Sequence, residues 1–449
     1  KYYSKEEICQ KNIYLYLKEY LGQEKGLRAT HYLIEQNYIS KDFINDYSDY
    51  YSLCYTQYSK KCLRVHFFSE HCVDDFKKEL KEALYNEDNE FFHNTYLGFI
   101  VIKPIPNSLV GFSLLRTYNY SRNHSTYNNF REFWSTRIYK LHLYGHEIEI
   151  DSLAFQQQDS VLSACATVSI WVLLQKASKD PYIQLETPGG LTKKAGIVST
   201  QGERLIPNKE GLSIPSICEV LTHSNLETVV RTQEGIEDFA QYLKSIIYAY
   251  SPLKIPMIFL YYLSQNDNYN NGHSVAITGH NIDKDTVLSK KKFSSFLTGN
   301  KLKSISLVSE QISKIYVHDD QWGPFARMEY DNSNNLLSPW NKDLSSKSPI
   351  NPFAIVLGVH PKVRVSYDDI EPIVFSINEL LEHIVKIKRK NKFYWDIKIM
   401  YSEEFKRNLK KYLSNRLNNE YYDSLLVDTL KSPLPKYVWV ATCYIEDIK

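Results

Sequence analysis

Residues 161–174, VLSACATVSIWVLL, form a run of fourteen residues without a single charge. A bilayer crossing takes roughly 18–20 apolar residues, so this run is too short to span a membrane. It reads instead as a helix that is apolar all round, which is stable only when other elements cover it. A second apolar run, KIPMIFLYYL at 254–263, is β-rich and reads as a buried strand of the same core. The buried helix carries a thiol, Cys165, in its first turn, with Ser163 as the expected N-cap and helix from about Ala164. Three glutamines, Gln156, Gln157 and Gln158, precede it.

At 449 residues the chain exceeds what one ordinary core holds. Residues 1–150 read as an N-terminal α+β region, with helices at 5–21 and 73–84, a β-run at 96–106 and a strand pair around Gly145 within 139–150. Residues 151–335 hold the apolar helix, a polar stretch at 177–216 in which TPGG (187–190) reads as a turn, and an amphipathic helix at 234–250. Strands follow at 254–263, 273–282, 313–320 and 325–330, around a loop at 266–272. A linker-like stretch at 331–349 leads to a C-terminal α+β extension, 336–449, with helices expected at 376–390 and 402–417.

Apolar residues make up 43% of the chain and charged ones 24%, which are globular values. A net charge of +2 gives no field for nucleic acid or acidic membranes. The seven cysteines are odd in number and show no C-x-x-C spacing, which points to reduced thiols in a cytosol and away from a disulfide framework or zinc knuckle. The first residues, KYYSKEEICQ, show no apolar signal region and no initiator methionine, as expected of a trimmed chain. Two histidines in HLYGH (142–146) lack a nearby carboxylate or cysteine to complete a metal site, and the basic run KIKRKNK (386–392) reads as a solvated helix face.

Three segments carry chemistry. A thiol at a helix start faces unpaired backbone N–H groups and the positive end of the helix dipole, which favour the nucleophilic thiolate. In NNGHSVAITGHN, His273 opens a strand whose Val275 and Ile277 share its face. In KIYVHDDQWGPF, a β-run ends in Asp319 and Asp320 before a Trp-Gly turn. A carboxylate there could accept a hydrogen bond from the imidazole Nδ1–H and hold its tautomer. Taken singly, each residue also has an ordinary structural role: a buried small side chain, a satisfied histidine, a turn aspartate.

In order and setting these segments resemble the papain-like cysteine peptidases, and the aspartate in third place is similar to the bacterial bacteriocin-processing branch. The likeness covers roughly residues 153–330. It implies an α+β fold in which the helix bearing the cysteine packs on an antiparallel sheet bearing His and Asp. It implies Cys165 as nucleophile and His273 as general base, then acid. Asp320 is the orienting group if the Trp-Gly turn sets the register, and Asp319 if strand length does. The family usually has its oxyanion glutamine six residues before the cysteine, where this chain has Asp159, so Gln158 or Gln157 is expected in that role through a one-residue insertion. A peptide or isopeptide bond of a protein substrate is then the target, with flanking regions free to bind a protein partner, and no metal or organic cofactor. Two alternatives share the site: an acyltransferase of the transglutaminase kind, and an inert binding module.

Overall fold

The computed structural model describes residues 9–22, 26–69, 76–85, 90–105, 108–117, 129–159, 165–196, 211–263, 272–283, 290–294, 302–339, 349–384, 391–414 and 420–447. The expected N-cap Ser163 and most of the 266–272 loop and the basic run lie outside them. The fold is α+β, and the chain divides into two compact units. Unit 1 comprises residues 1–234, 255–281 and 314–358, and unit 2 comprises 235–254, 282–313 and 359–449. Residues 1–150 share a compact unit with the cysteine, histidine and aspartate segments.

Unit 1 begins with helix α1 (Asn12–Leu21) and strand β1 (Ala29–Tyr38), followed by α2 (Lys41–Asp49), β2 (Cys62–Ser69), α3 (Phe76–Tyr85), α4 (Glu90–Thr95), β3 (Tyr96–Ile102) and β4 (Val110–Leu115). The four strands make an antiparallel meander in chain order. Strand β5 (Asn129–Glu132) follows, then the hairpin β6 (Arg137–Leu143) and β7 (His146–Ser152), turning at Tyr144–Gly145 as expected.

Helix α5 (Cys165–Ala177) is the apolar run, and every residue from Ala166 to Gln175 is buried. Next comes α6 (Pro188–Gly196), where a turn was expected. The TPGG residues start this helix because the Thr187 hydroxyl accepts from the Gly190 N–H at 3.2 Å and Pro188 sits at the first helical position, where its missing N–H costs nothing. Helix α7 (Ile214–His223) leads to β8 (Glu227–Thr232).

The site sheet uses β9 (Met257–Tyr262), β10 (Gly272–Asp283), and, after the unit 2 strands β11 (Lys290–Ser294) and β12 (Leu302–Leu307), β13 (Ile312–Asp319), β14 (Gly323–Tyr330), β15 (Leu336–Leu337) and β16 (Asn351–Val359). Its order is β15-β14-β13-β10-β9-β16-β8, with β5 paired to β10. The β9–β10, β9–β16, β13–β14 and β14–β15 pairs are antiparallel. Both central strands are buried almost end to end: β9 is an apolar run, while β10 also buries His273, Ser274, Thr278, His280 and Asn281. Gly279 of β10 admits β5: a Cβ there would lie 2.4 Å from the Glu132 carbonyl oxygen.

Unit 2 contains α8 (Phe239–Tyr250), capped by the Asp238 carboxylate accepting from the Gln241 N–H, with α9 (Tyr367–Ile384), β17 (Asn391–Tyr401), α10 (Ser402–Ser414), α11 (Glu420–Lys431) and β18 (Tyr437–Asp447). Its sheet runs β11-β12-β17-β18. Among the described residues no helix is long and apolar enough to cross a membrane.

Candidate active site

Cys165 is the first residue of α5 and is half-buried. One turn on, the Ser169 hydroxyl donates to the Cys165 carbonyl at 3.0 Å and receives a hydrogen bond from the Ser274 hydroxyl at 3.2 Å. Ser274 follows His273, so this buried serine pair ties the helix start to the strand start. His273 is the second residue of β10, paired with Tyr261 of β9, whose ring meets the imidazole edge-on at 5.5 Å. The Cys165 thiol is near enough to the His273 ring to count among the influences that raise the imidazole pKa.

The imidazole Nε2 lies 3.2 Å from Asp319 Oδ1 and 3.9 Å from Asp320 Oδ1. Thus Asp319 stands at hydrogen-bonding distance and Asp320 just beyond it. The ring is turned opposite to the expected sense: Nε2, not Nδ1, faces the carboxylate. The β13–β14 register shifts between Val317 and Asp319, at the strand end that carries the carboxylate. Asp319 Oδ1 also accepts from the Gln321 and Trp322 N–H groups at 3.0 and 3.2 Å. The turn is braced by α1: the Tyr16 hydroxyl donates to the Pro324 carbonyl at 2.7 Å, and a Cβ on Gly323 would fall 2.1 Å from the Tyr16 ring.

Burial disfavours a charged His273. The charge and hydrogen bond of Asp319, the nearby Cys165 thiol and the charge of Asp320 outweigh it, and the imidazole pKa is raised well above its ordinary value. An imidazolium beside the sulfur favours its ionised, nucleophilic form. Among the described residues, His273, Asp319 and Asp320 are the group whose ligand atoms lie close enough, within 4.8 Å, for a metal ion. Asp319 Oδ1 already accepts three hydrogen bonds, so the trio reads as a hydrogen-bonded ion pair with a second acid nearby.

The glutamines diverge. Gln157 Oε1 accepts from the Val110 N–H at 3.3 Å, and the Gln158 carbonyl accepts from Ser108 at 2.6 Å. Gln156, not singled out by spacing, is buried, and its Nε2 donor has no hydrogen-bond partner. Asp159, at the position six before the cysteine, is occupied elsewhere: the Tyr51 hydroxyl donates to its Oδ2 at 3.0 Å. Asp46 on α2 lies in the same buried cluster, where its Oδ1 accepts from the Gly189 N–H at 3.3 Å, and Lys103 supplies a cation. Sequence reasoning missed Ser169 and Ser274. Their signal was local, one helical turn after the thiol and one residue after the imidazole.

No family model matches the sequence, and no curated protein matches it.

Proposed function

We propose that this chain is a cysteine peptidase of papain-like type, acting on a peptide or isopeptide bond of a protein substrate. The observation that carries the reading is a helix-start thiol beside a buried imidazole whose Nε2 faces Asp319. The α5 helix beside the sheet that bears His273 and Asp319 supports the papain-like fold assignment, and the aspartate in third place supports the bacteriocin-processing branch.

In the proposed reaction His273 takes the Cys165 proton and the sulfur attacks the carbonyl carbon. A tetrahedral intermediate forms and collapses to a thioester as His273, through Nδ1, protonates the leaving amine. His273 then deprotonates water, which cleaves the thioester and restores the thiol. Asp319 holds the ring orientation throughout and offsets the imidazolium charge. No step calls for a metal or organic cofactor.

For the oxyanion, the proposal adds Gln156 to Gln157 and Gln158, because a buried amide donor without an acceptor is costly unless something else completes it. Alanine at the donating glutamine is expected to lower turnover about 10²–10³-fold, the effect of losing one such donor. Equal, small effects at all three positions would remove a glutamine from the oxyanion site.

The direct test is labelling with a peptide aldehyde or vinyl sulfone, followed by mapping of the modified residue. Modification confined to Cys165, and lost on H273A, is the expected result. Labelling at another cysteine with Cys165 untouched would count against the proposal. Amide formation with an added amine in excess of hydrolysis would move the reaction class to acyl transfer.

A further inference from the structure

One carboxylate suffices to accept the Nε2–H of His273, and this site buries two beside the ring. Asp319 is fully used, its Oδ1 accepting from His273, Gln321 and Trp322. Asp320 is different. It is 2% exposed; the backbone N–H groups of Asp320 itself and Gln321 lie near its oxygens, but no side-chain donor is hydrogen-bonded to them. A carboxylate kept dry with so few donors is unfavourable unless a cation stands next to it. The cation in reach is the imidazolium of His273, 3.9 Å away.

We propose that Asp320 is a positioning residue for His273: its charge, placed beside Nε2, keeps the imidazole protonated. What this does to the reactivity of Cys165 rests on the thiol-enzyme reading, while the effect on the imidazole stands without it. Among the described residues, the titratable groups near the ring include the Cys165 thiol from α5, the Tyr261 phenol from β9, and Asp319 and Asp320 from the end of β13. His318, also on β13, packs edge-on against Phe155 and Phe325, and burial pushes its pKa down to about 3, so it adds no positive charge at neutral pH.

The Asp320 carboxyl is itself pushed up to about 7 by burial, with the imidazolium opposing the shift and Asp319 adding to it. Its charge therefore appears as pH rises through neutrality. Below that range Asp320 is neutral and Asp319 alone supports the ring.

The test is the histidine titration followed by NMR on the full chain, with the His273 signal assigned by its loss in H273Q. Wild type is compared with D320N, D320L and D320E. Removing the charge should lower the His273 midpoint by about one pH unit in both D320N and D320L, the typical effect of one nearby charge. D320E, which keeps the charge, should retain the wild-type midpoint. Iodoacetamide alkylation of Cys165 at pH 7 should slow several-fold in D320N while the melting temperature stays level or rises. A His273 midpoint unchanged in both neutral variants overturns the proposal, whatever happens to stability. A midpoint that falls as expected, while Cys165 remains unreactive in the wild type, upholds Asp320's role and removes the peptidase reading instead.

Discussion

His273→Ala is expected to lower turnover of a peptide ester or amide by about 10³–10⁴-fold, the upper range for removing a group that both takes and returns the proton. The loss should be larger than that from any single glutamine. Two effects combine. Without the imidazolium the sulfur loses the cation that favours its ionised form, and the leaving amine loses its proton donor. They separate by pH. Alkylation of Cys165 in H273A should recover as pH rises, since hydroxide can ionise a thiol in place of a base. Amide cleavage should not recover, since no acid has been restored. Cys165→Ser should show the same order of loss without recovery at either pH. If H273A cleaves amide within tenfold of wild type at pH 7, His273 is not the proton-transfer residue. Asp319→Asn probes the next contact outward: the turn hydrogen bonds from Gln321 and Trp322 can persist on its Oδ1, whereas the charge that supports the imidazolium is gone.

The second large effect concerns stability. Asp46→Asn is expected to stabilise the protein at pH 8 and to do little near pH 4. Burial pushes the Asp46 carboxyl up to about 7, the charges of Asp159 and Asp42 add to the shift, and Lys103 and the Gly189 N–H oppose it. In the unfolded chain the group returns to an ordinary value near ~4. Between those values the folded protein binds the extra proton, so stability falls as pH rises from about 4 through about 7. The full span caps the loss at roughly 4 kcal/mol above pH 7. Asparagine mimics the protonated acid and keeps an oxygen for the Gly189 N–H, so it removes the penalty without opening a hole. Urea unfolding of both proteins at pH 5 and pH 8 measures it. A difference that is the same at both pH values would show that Asp46 is not protonated in the folded state. The cluster matters to the site because Asp159 anchors the glutamine stretch to Tyr51, 108 residues away in sequence.

Several strands of the first sheet were not legible. In β1 and β2 the apolar Tyr32, Ile34 and Leu63 are exposed, beside Gln36 and Asn37, while Arg64 and His66 are buried. Arg64 donates to Glu35 at 2.6 Å and to His66 Nε2 at 3.1 Å, and His66 Nδ1 bonds the Tyr96 hydroxyl at 2.9 Å. With a polar network inside and apolar side chains outside, the alternation that marks a strand is inverted. The TPGG helix start was hidden for a different reason: Pro and Gly read as turn residues, and a threonine cap on one backbone N–H outweighed them.

From its sequence alone this chain determined a buried apolar helix with Cys165 in its first turn, a strand that opens on His273 and a β-run that ends in Asp319 and Asp320, because side-chain periodicity and element ends are local properties. Only the tertiary structure decided that these ends meet, that Nε2 faces Asp319 rather than Asp320, and which glutamine keeps an unmet donor. Those outcomes go with a register shift at the end of β13, a serine pair joining α5 to β10, and a tyrosine and an aspartate 108 residues apart. They are distances between segments remote in the chain, set by how the cores pack, and no local pattern encodes them.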